Sequence, residues 1–83
     1  SIRSISTRLD PGGTTSLPPA SIWAVKVSAD GRTMEVYSIT PSSDQIFEAL
    51  ARSYATQMLW SPATKGGNPV VSWTQIRLEP VRP

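Results

Sequence analysis

Cysteine and histidine are both missing from the 83 residues. Without thiolates there is no disulfide scaffold and no zinc or iron–sulfur centre held by sulfur. Without imidazole the usual general base at neutral pH is gone, and the most easily activated nucleophile went with cysteine. Charge is also sparse: eight Lys and Arg against six Asp and Glu leave a net +2. The two lysines, Lys26 and Lys65, stand far apart, and no concentrated basic stripe of the kind that holds phosphate backbones is present. No apolar run approaches the roughly 18 residues of a membrane span, and the N-terminus lacks the charged-then-apolar pattern of a secretory signal. The carboxylates are dispersed too. Asp30 is placed in a turn, Asp44 at a helix start, Glu35 across a strand pair and Glu48 on a helix surface, which suggests no acid–base pair and no cation cage. The expectation is a protein that is not an enzyme, with no cofactor, metal or small-molecule substrate.

With 39% apolar and 17% charged residues, the composition is that of a globular chain, while many of its eight prolines and five glycines fall in irregular segments. A chain this short buries only about 60–65% of the surface its unfolded form exposes, so one small domain with a modest stability margin is expected. Residues 1–21 read as an extended arm punctuated by Asp10-Pro11-Gly12-Gly13 and Pro18-Pro19, residues 22–80 as one α+β domain, and residues 81–83 as a tail. Ile2, Ile5 and Leu9 allow two readings of the arm: a short strand on a sheet edge or a mobile leader.

Residues 22–28 and 33–39 are rich in β-branched and aromatic side chains, and Asp30-Gly31 between them is a two-residue hairpin signal. Centring the turn there sets Val27 opposite Met34, Val25 opposite Val36 and Trp23 opposite Ser38 on one face. The other face pairs Lys26 with Glu35, Ala24 with Tyr37 and Ile22 with Ile39. Apolar residues meet apolar ones and the lysine meets the carboxylate; a one-residue slip loses both matches.

A helix follows. Ser42 is the predicted N-cap, Gln45 completes a capping box, and Asp44 places a negative charge in the first turn. Ile46, Phe47, Leu50, Tyr54 and Met58 recur at helical spacing as the core stripe, flanked by Ala51 and Ala55. The stripe is expected to lie over Val25, Val27, Met34 and Val36. Glu48 and Arg52 are placed outward as a solvated pair.

Lys65-Gly66-Gly67 has neither the Walker spacing nor the dinucleotide fingerprint and reads as a flexible connection. Residues 70–79 read as the last strand, with Val70, Ser72, Thr74, Ile76 and Leu78 on one face and Val71, Trp73, Gln75, Arg77 and Glu79 on the other. Either Trp73 points away from the helix or a bulge near Thr74-Gln75 switches the face. Pro80-Val81-Arg82-Pro83 has P-x-x-P spacing, and a simple chain exit is the plainer reading.

Over residues 22–54 the hairpin, the Thr40-Pro41-Ser42-Ser43-Asp44 entry and a helix with Ile46 near its start resemble the ubiquitin-like, β-grasp superfamily. The resemblance implies a ββαβ core in which the helix packs on one face of a small mixed sheet and the last strand runs parallel to the first, beside it. It also implies a recognition module; in Ras-association members the second strand pairs with a partner's edge through basic residues, and here Arg32 and Lys26 are the basic residues of the hairpin. There is no C-terminal diglycine, so conjugation is not implied. The expected function is a non-catalytic protein–protein interaction module, an adaptor binding through its outer sheet face or free strand edge, with Lys26, Arg32, Tyr37, Ile39, Trp73 and Arg77 as partner-binding residues. The rivals are a structural subunit of a larger assembly that wraps a neighbour with its arm, and single-stranded nucleic-acid binding through Trp73, Tyr37 and Arg77.

Overall fold

The computed structural model describes residues 3–9 and 18–81. In chain order they form β1 Arg3–Leu9, β2 Ser21–Val27, β3 Thr33–Thr40, α1 Gln45–Gln57, β4 Ala63–Lys65, β5 Asn68–Val70 and β6 Ser72–Pro80. The Asp10-Pro11-Gly12-Gly13 turn and the Arg82-Pro83 end of the P-x-x-P tail lie outside the described residues.

The hairpin keeps its expected register in the middle and loses it at both ends. Trp23 faces Ser38, Ala24 faces Tyr37, Val25 faces Val36 and Lys26 faces Glu35, but Val27 faces Thr33 and Ile22 faces Thr40. Met34 and Ile39 are the extra residues of two bulges, and both are half-exposed. The turn explains the first shift. It is not a two-residue turn: Ser28 N donates to Arg32 O at 2.8 Å and Gly31 N to Ser28 O at 3.0 Å, so Ala29-Asp30-Gly31 forms a three-residue loop. Gly31 supplies the positive φ of 86° that this loop needs. A side chain there would also collide with the chain leaving the helix, since a Cβ would lie 2.3 Å from Trp60 O.

The helix starts later than the capping box suggests. Asp44 is the N-cap and accepts from Phe47 N at 2.9 Å, while Ser42 Oγ accepts from Asp44 N at 3.2 Å. The buried stripe is Phe47, Ala51 and Ala55, whereas Ile46 is 77% and Leu50 39% exposed. Trp23, fully buried, accounts for the rotation: its ring fills the space beneath the helix, and only the small Ala51 and Ala55 let the helix close on the sheet. Glu48 and Arg52 are therefore not an outward pair. Glu48 turns to the sheet, and the Arg52 guanidinium lies 4.8 Å from the centroid of the Trp23 ring.

β6 pairs with β2 without interruption, from Ser21 opposite Leu78 to Val27 opposite Ser72, so no bulge switches its face. The pairing is antiparallel, not the parallel one implied by the resemblance. The reason is topological. The helix carries the chain back to the end where β3 began, so β6 runs in the direction of β3, opposite to β2, and it lands on the far side of β2. β1 then adds beside β6 in parallel, from Arg3 opposite Thr74 to Leu9 opposite Pro80, with Val81 N donating to Leu9 O at 2.8 Å. Seven residues of the expected arm are thus a strand of the domain's own sheet. Strand order is β1-β6-β2-β3, which leaves β3 and β1 as edges.

The glycine connection is also ordered. Gly66 and Gly67, at φ 58° and 82°, turn β4 into β5 as a separate two-stranded hairpin. The core lies on one side of the main sheet: Trp23, Val25, Val27, Ile76 and Leu78 from the strands, and Phe47, Ala51 and Ala55 from the helix. The result is a small α+β unit, one helix on a mixed sheet. Among the described residues no helix is long and apolar enough to cross a membrane.

Candidate interaction surface

Strand alternation sends every second residue of β2, β3 and β6 away from the helix. On that outer face Lys26 neighbours Trp73, Ala24 neighbours Gln75 and Ile22 neighbours Arg77, while Tyr37 stands across from Ala24. Because Ala24 is small, the Tyr37 ring can lean over β2 to Trp73. The ring centroids are 5.8 Å apart with planes tilted by 32°. Tyr37 is 53% and Trp73 36% exposed, so the pair is a surface feature.

Charges surround the pair in matched form. Lys26 Nζ lies 3.8 Å from Glu35, and the Tyr37 hydroxyl donates to the same carboxylate at 3.3 Å. Arg77 lies 3.2 Å from Glu79, which Arg8 approaches to 3.8 Å. These contacts are exposed and add little stability. Their consequence is that the aromatic pair sits in a nearly neutral polar rim.

Of the six residues expected to bind a partner, Lys26, Tyr37 and Trp73 form one cluster, and Arg77 shares their face further along β6. Ile39 is in the bulge at the end of β3. Arg32 is elsewhere: it borders the turn, pairs with Asp30 at 3.5 Å and bridges to Leu59. Asp30 itself has its pKa lowered, first by the hydrogen bond from Ser28, and it remains a turn residue.

The helix side carries a different kind of polar site. Glu48 accepts from Ser21 Oγ and Ser38 Oγ, each at 2.7 Å, and from Ser42 N at 2.9 Å. One carboxylate thereby ties the start of β2, the end of β3 and the entry to α1. Burial raises its pKa, but the three hydrogen bonds and the Arg52 charge outweigh that effect and hold it below the usual carboxylate range. An open depression of about 520 Å³ runs along this side, lined in part by Gln45, Glu48, Arg52 and Thr56. Its two charged groups are engaged in holding the fold, Glu48 on three donors and Arg52 on Trp23.

Alternation places Lys26 and Tyr37 on the outer face; it leaves Trp73 open until the unbroken β6 pairing decides, and it misses the bulge that takes Ile39 out of register. It did not find Ile46 and Leu50, the large apolar side chains that the helix leaves in solvent. The signal for them was Phe47-x-x-x-Ala51-x-x-x-Ala55, a second stripe at the same spacing whose small members permit closer packing. Comparison of the chain with protein-family models, with curated proteins and with solved structures finds no match.

Proposed function

We propose that this chain is a non-catalytic protein–protein interaction module that binds through the outer face of its sheet. The observation carrying the reading is the Tyr37–Trp73 pair, two partly exposed aromatic rings in contact on a sheet face with no second layer among the described residues. Rigid aromatic side chains within a polar rim are the composition of binding hot spots. The matched charges favour a protein over a nucleic acid, since Lys26 and Arg77, the cations nearest the rings, already face Glu35 and Glu79. The assembly-subunit reading loses part of its support because residues 3–9 are engaged in the domain's own sheet.

A ubiquitin-like kinship is supported by the order hairpin, helix, returning strand, and by a helix resting on one sheet face. The antiparallel β6–β2 pairing departs from it. The functional reading depends on the surface and not on that kinship.

Affinity capture from an extract of the source cells tests the reading, comparing the intact chain with a Tyr37→Ser/Trp73→Ser variant shown to be folded by circular dichroism. Loss of a specifically retained protein in the variant is the expected result. Equal retention by both, or retention only of salt-sensitive single-stranded nucleic acid, overturns it.

A further inference from the structure

We infer that two copies of this chain pair edge to edge through β3 and the adjoining side of α1. The surface is a strand edge and a helix side, not the outer sheet face, though Tyr37 and Glu35 of β3 border both; the inference does not rest on the proposed function.

β3 ends the strand order, and among the described residues no strand pairs with its outer side from Thr33 to Thr40. Such an edge is usually blunted by lysine, proline or a bulge. β3 has neither lysine nor proline, its single charge is Glu35, and its bulges at Met34 and Ile39 bracket a regular stretch over residues 35–38.

The helix supplies a matching strip. Glu48 and Arg52 reach Ser21 and Trp23 of β2, so the opposite side of the wheel, Ile46, Leu50 and Tyr54, is turned away from β2. A right-handed crossover from β3 to β6 puts that side over the free edge of β3. The strip is uncharged: Ile46 and Leu50 are exposed, and an open hollow of about 430 Å³ is lined by Leu50, Ser53, Tyr54, Gln57 and Met58. Apolar side chains four residues apart that stand beside an open strand edge form one continuous surface.

This surface is complementary to itself. A two-fold axis perpendicular to the sheet through Val36 sets Val36 against Val36 and Glu35 against Tyr37, so no like charges meet in the paired stretch. Thr33 bonds to Ala55 O at one end and Ser38 to Glu48 at the other, so the middle of β3 lies beneath the middle of α1. The same axis therefore brings the helices together antiparallel, with Leu50 against Leu50 and Ile46 against Tyr54. Spacing agrees. With paired strands about 4.8 Å apart, helices seated over the β2–β3 gap come to about 10 Å, the ordinary helix packing distance. A face whose length is set by the helix, about 20 Å, and two layers deep presents on the order of 400 Å² per copy, below the usual size of a stable dimer interface, so the association is expected to be weak and concentration-dependent.

Sedimentation equilibrium of the intact chain over micromolar to near-millimolar concentrations should show a mass rising from 9.0 kDa towards twice that value. Leu50→Glu and Ile46→Glu, both at exposed positions, should each weaken the dimer at least roughly tenfold by placing carboxylates in the apolar contact. Arg8→Ser, on β1 at the opposite edge of the sheet, should leave it unchanged. Mixing Leu50→Glu with Leu50→Lys should restore dimers as the mixed species, because the axis sets position 50 against itself. A chain monomeric throughout, a dimer indifferent to both glutamate variants, or no mixed species would each overturn the inference. So would a stable monomer whose β3 edge is taken by another protein in the capture experiment.

Discussion

The two faces of the main sheet come from the same strands, and each holds a tryptophan, yet they are built on opposite principles. Trp23 lies under the helix with Val25, Val27, Ile76 and Leu78, fully buried, and its indole N–H meets no acceptor among the described residues. Trp73, on β6, stands in contact with Tyr37 in a ring of matched charges, with a third of its surface open. The covered face derives its stability from apolar area removed from water, which scales with burial. The open face leaves a third of Trp73 and half of Tyr37 in water, so only part of its aromatic area contributes to folding. The contrast separates residues that hold the domain from residues available to a partner.

Truncating the two tryptophans should give the largest difference. Trp23→Ala removes the side chain on which the helix rests and is expected to destabilise the domain by about 3–5 kcal/mol, enough to unfold much of a chain this small. Trp73→Ala is expected to cost about 1–2 kcal/mol, the loss of a partly covered ring and of its contact with Tyr37. Urea denaturation of the two variants beside the unaltered chain measures both. Similar losses would mean that the outer face is covered in solution.

Glu48 gives the next largest effect, because it is the polar counterpart of Trp23 on the covered side. Glu48→Ala leaves Ser21 Oγ, Ser38 Oγ and Ser42 N without their acceptor and should cost about 2–3 kcal/mol. Its dependence on pH has a definite sign. The folded-state pKa is depressed, so the carboxylate's contribution is complete above the ordinary glutamate range and is lost as pH falls through the lower folded-state value. Stability measured from pH 7 downward should decline in that acid window, and Glu48→Gln should flatten the decline. An unchanged slope would assign the acid sensitivity to other carboxylates.

What the chain disclosed before its fold was known divides along the same line. The outer face was legible in part, because alternation and cross-strand matching are local: Lys26 against Glu35 and Ala24 against Tyr37 pair as expected, but only because the bulge at Met34 offsets a loop one residue longer than the expected turn, and the face of Trp73 stayed open between two readings. The covered face was legible only in part. Which helix stripe faces inward depended on how much room Trp23 leaves, and volume between elements is not a property of either element. Glu48 was misplaced for a related reason, since its partners Ser21 and Ser38 are 27 and 10 residues away and only the fold brings them together. The antiparallel placement of β6 and the parallel addition of β1 are long-range pairings that strand composition does not encode.

The smallest expected effect is the most discriminating for the open face. A double-mutant cycle of Tyr37→Ala and Trp73→Ala should yield a coupling of about 0.5–1 kcal/mol in stability, the usual worth of an aromatic pair beyond its area. If the pair serves the fold alone, its contribution is that coupling together with the area each ring already buries. If it serves recognition, the same substitutions should weaken partner capture far more than they weaken folding, because an interface desolvates the rings that the monomer leaves wet. The ratio of the two effects is therefore the quantity to measure. A ratio near one would return Tyr37 and Trp73 to the category of ordinary cross-strand neighbours, and the two faces of the sheet would differ only in how much water each excludes.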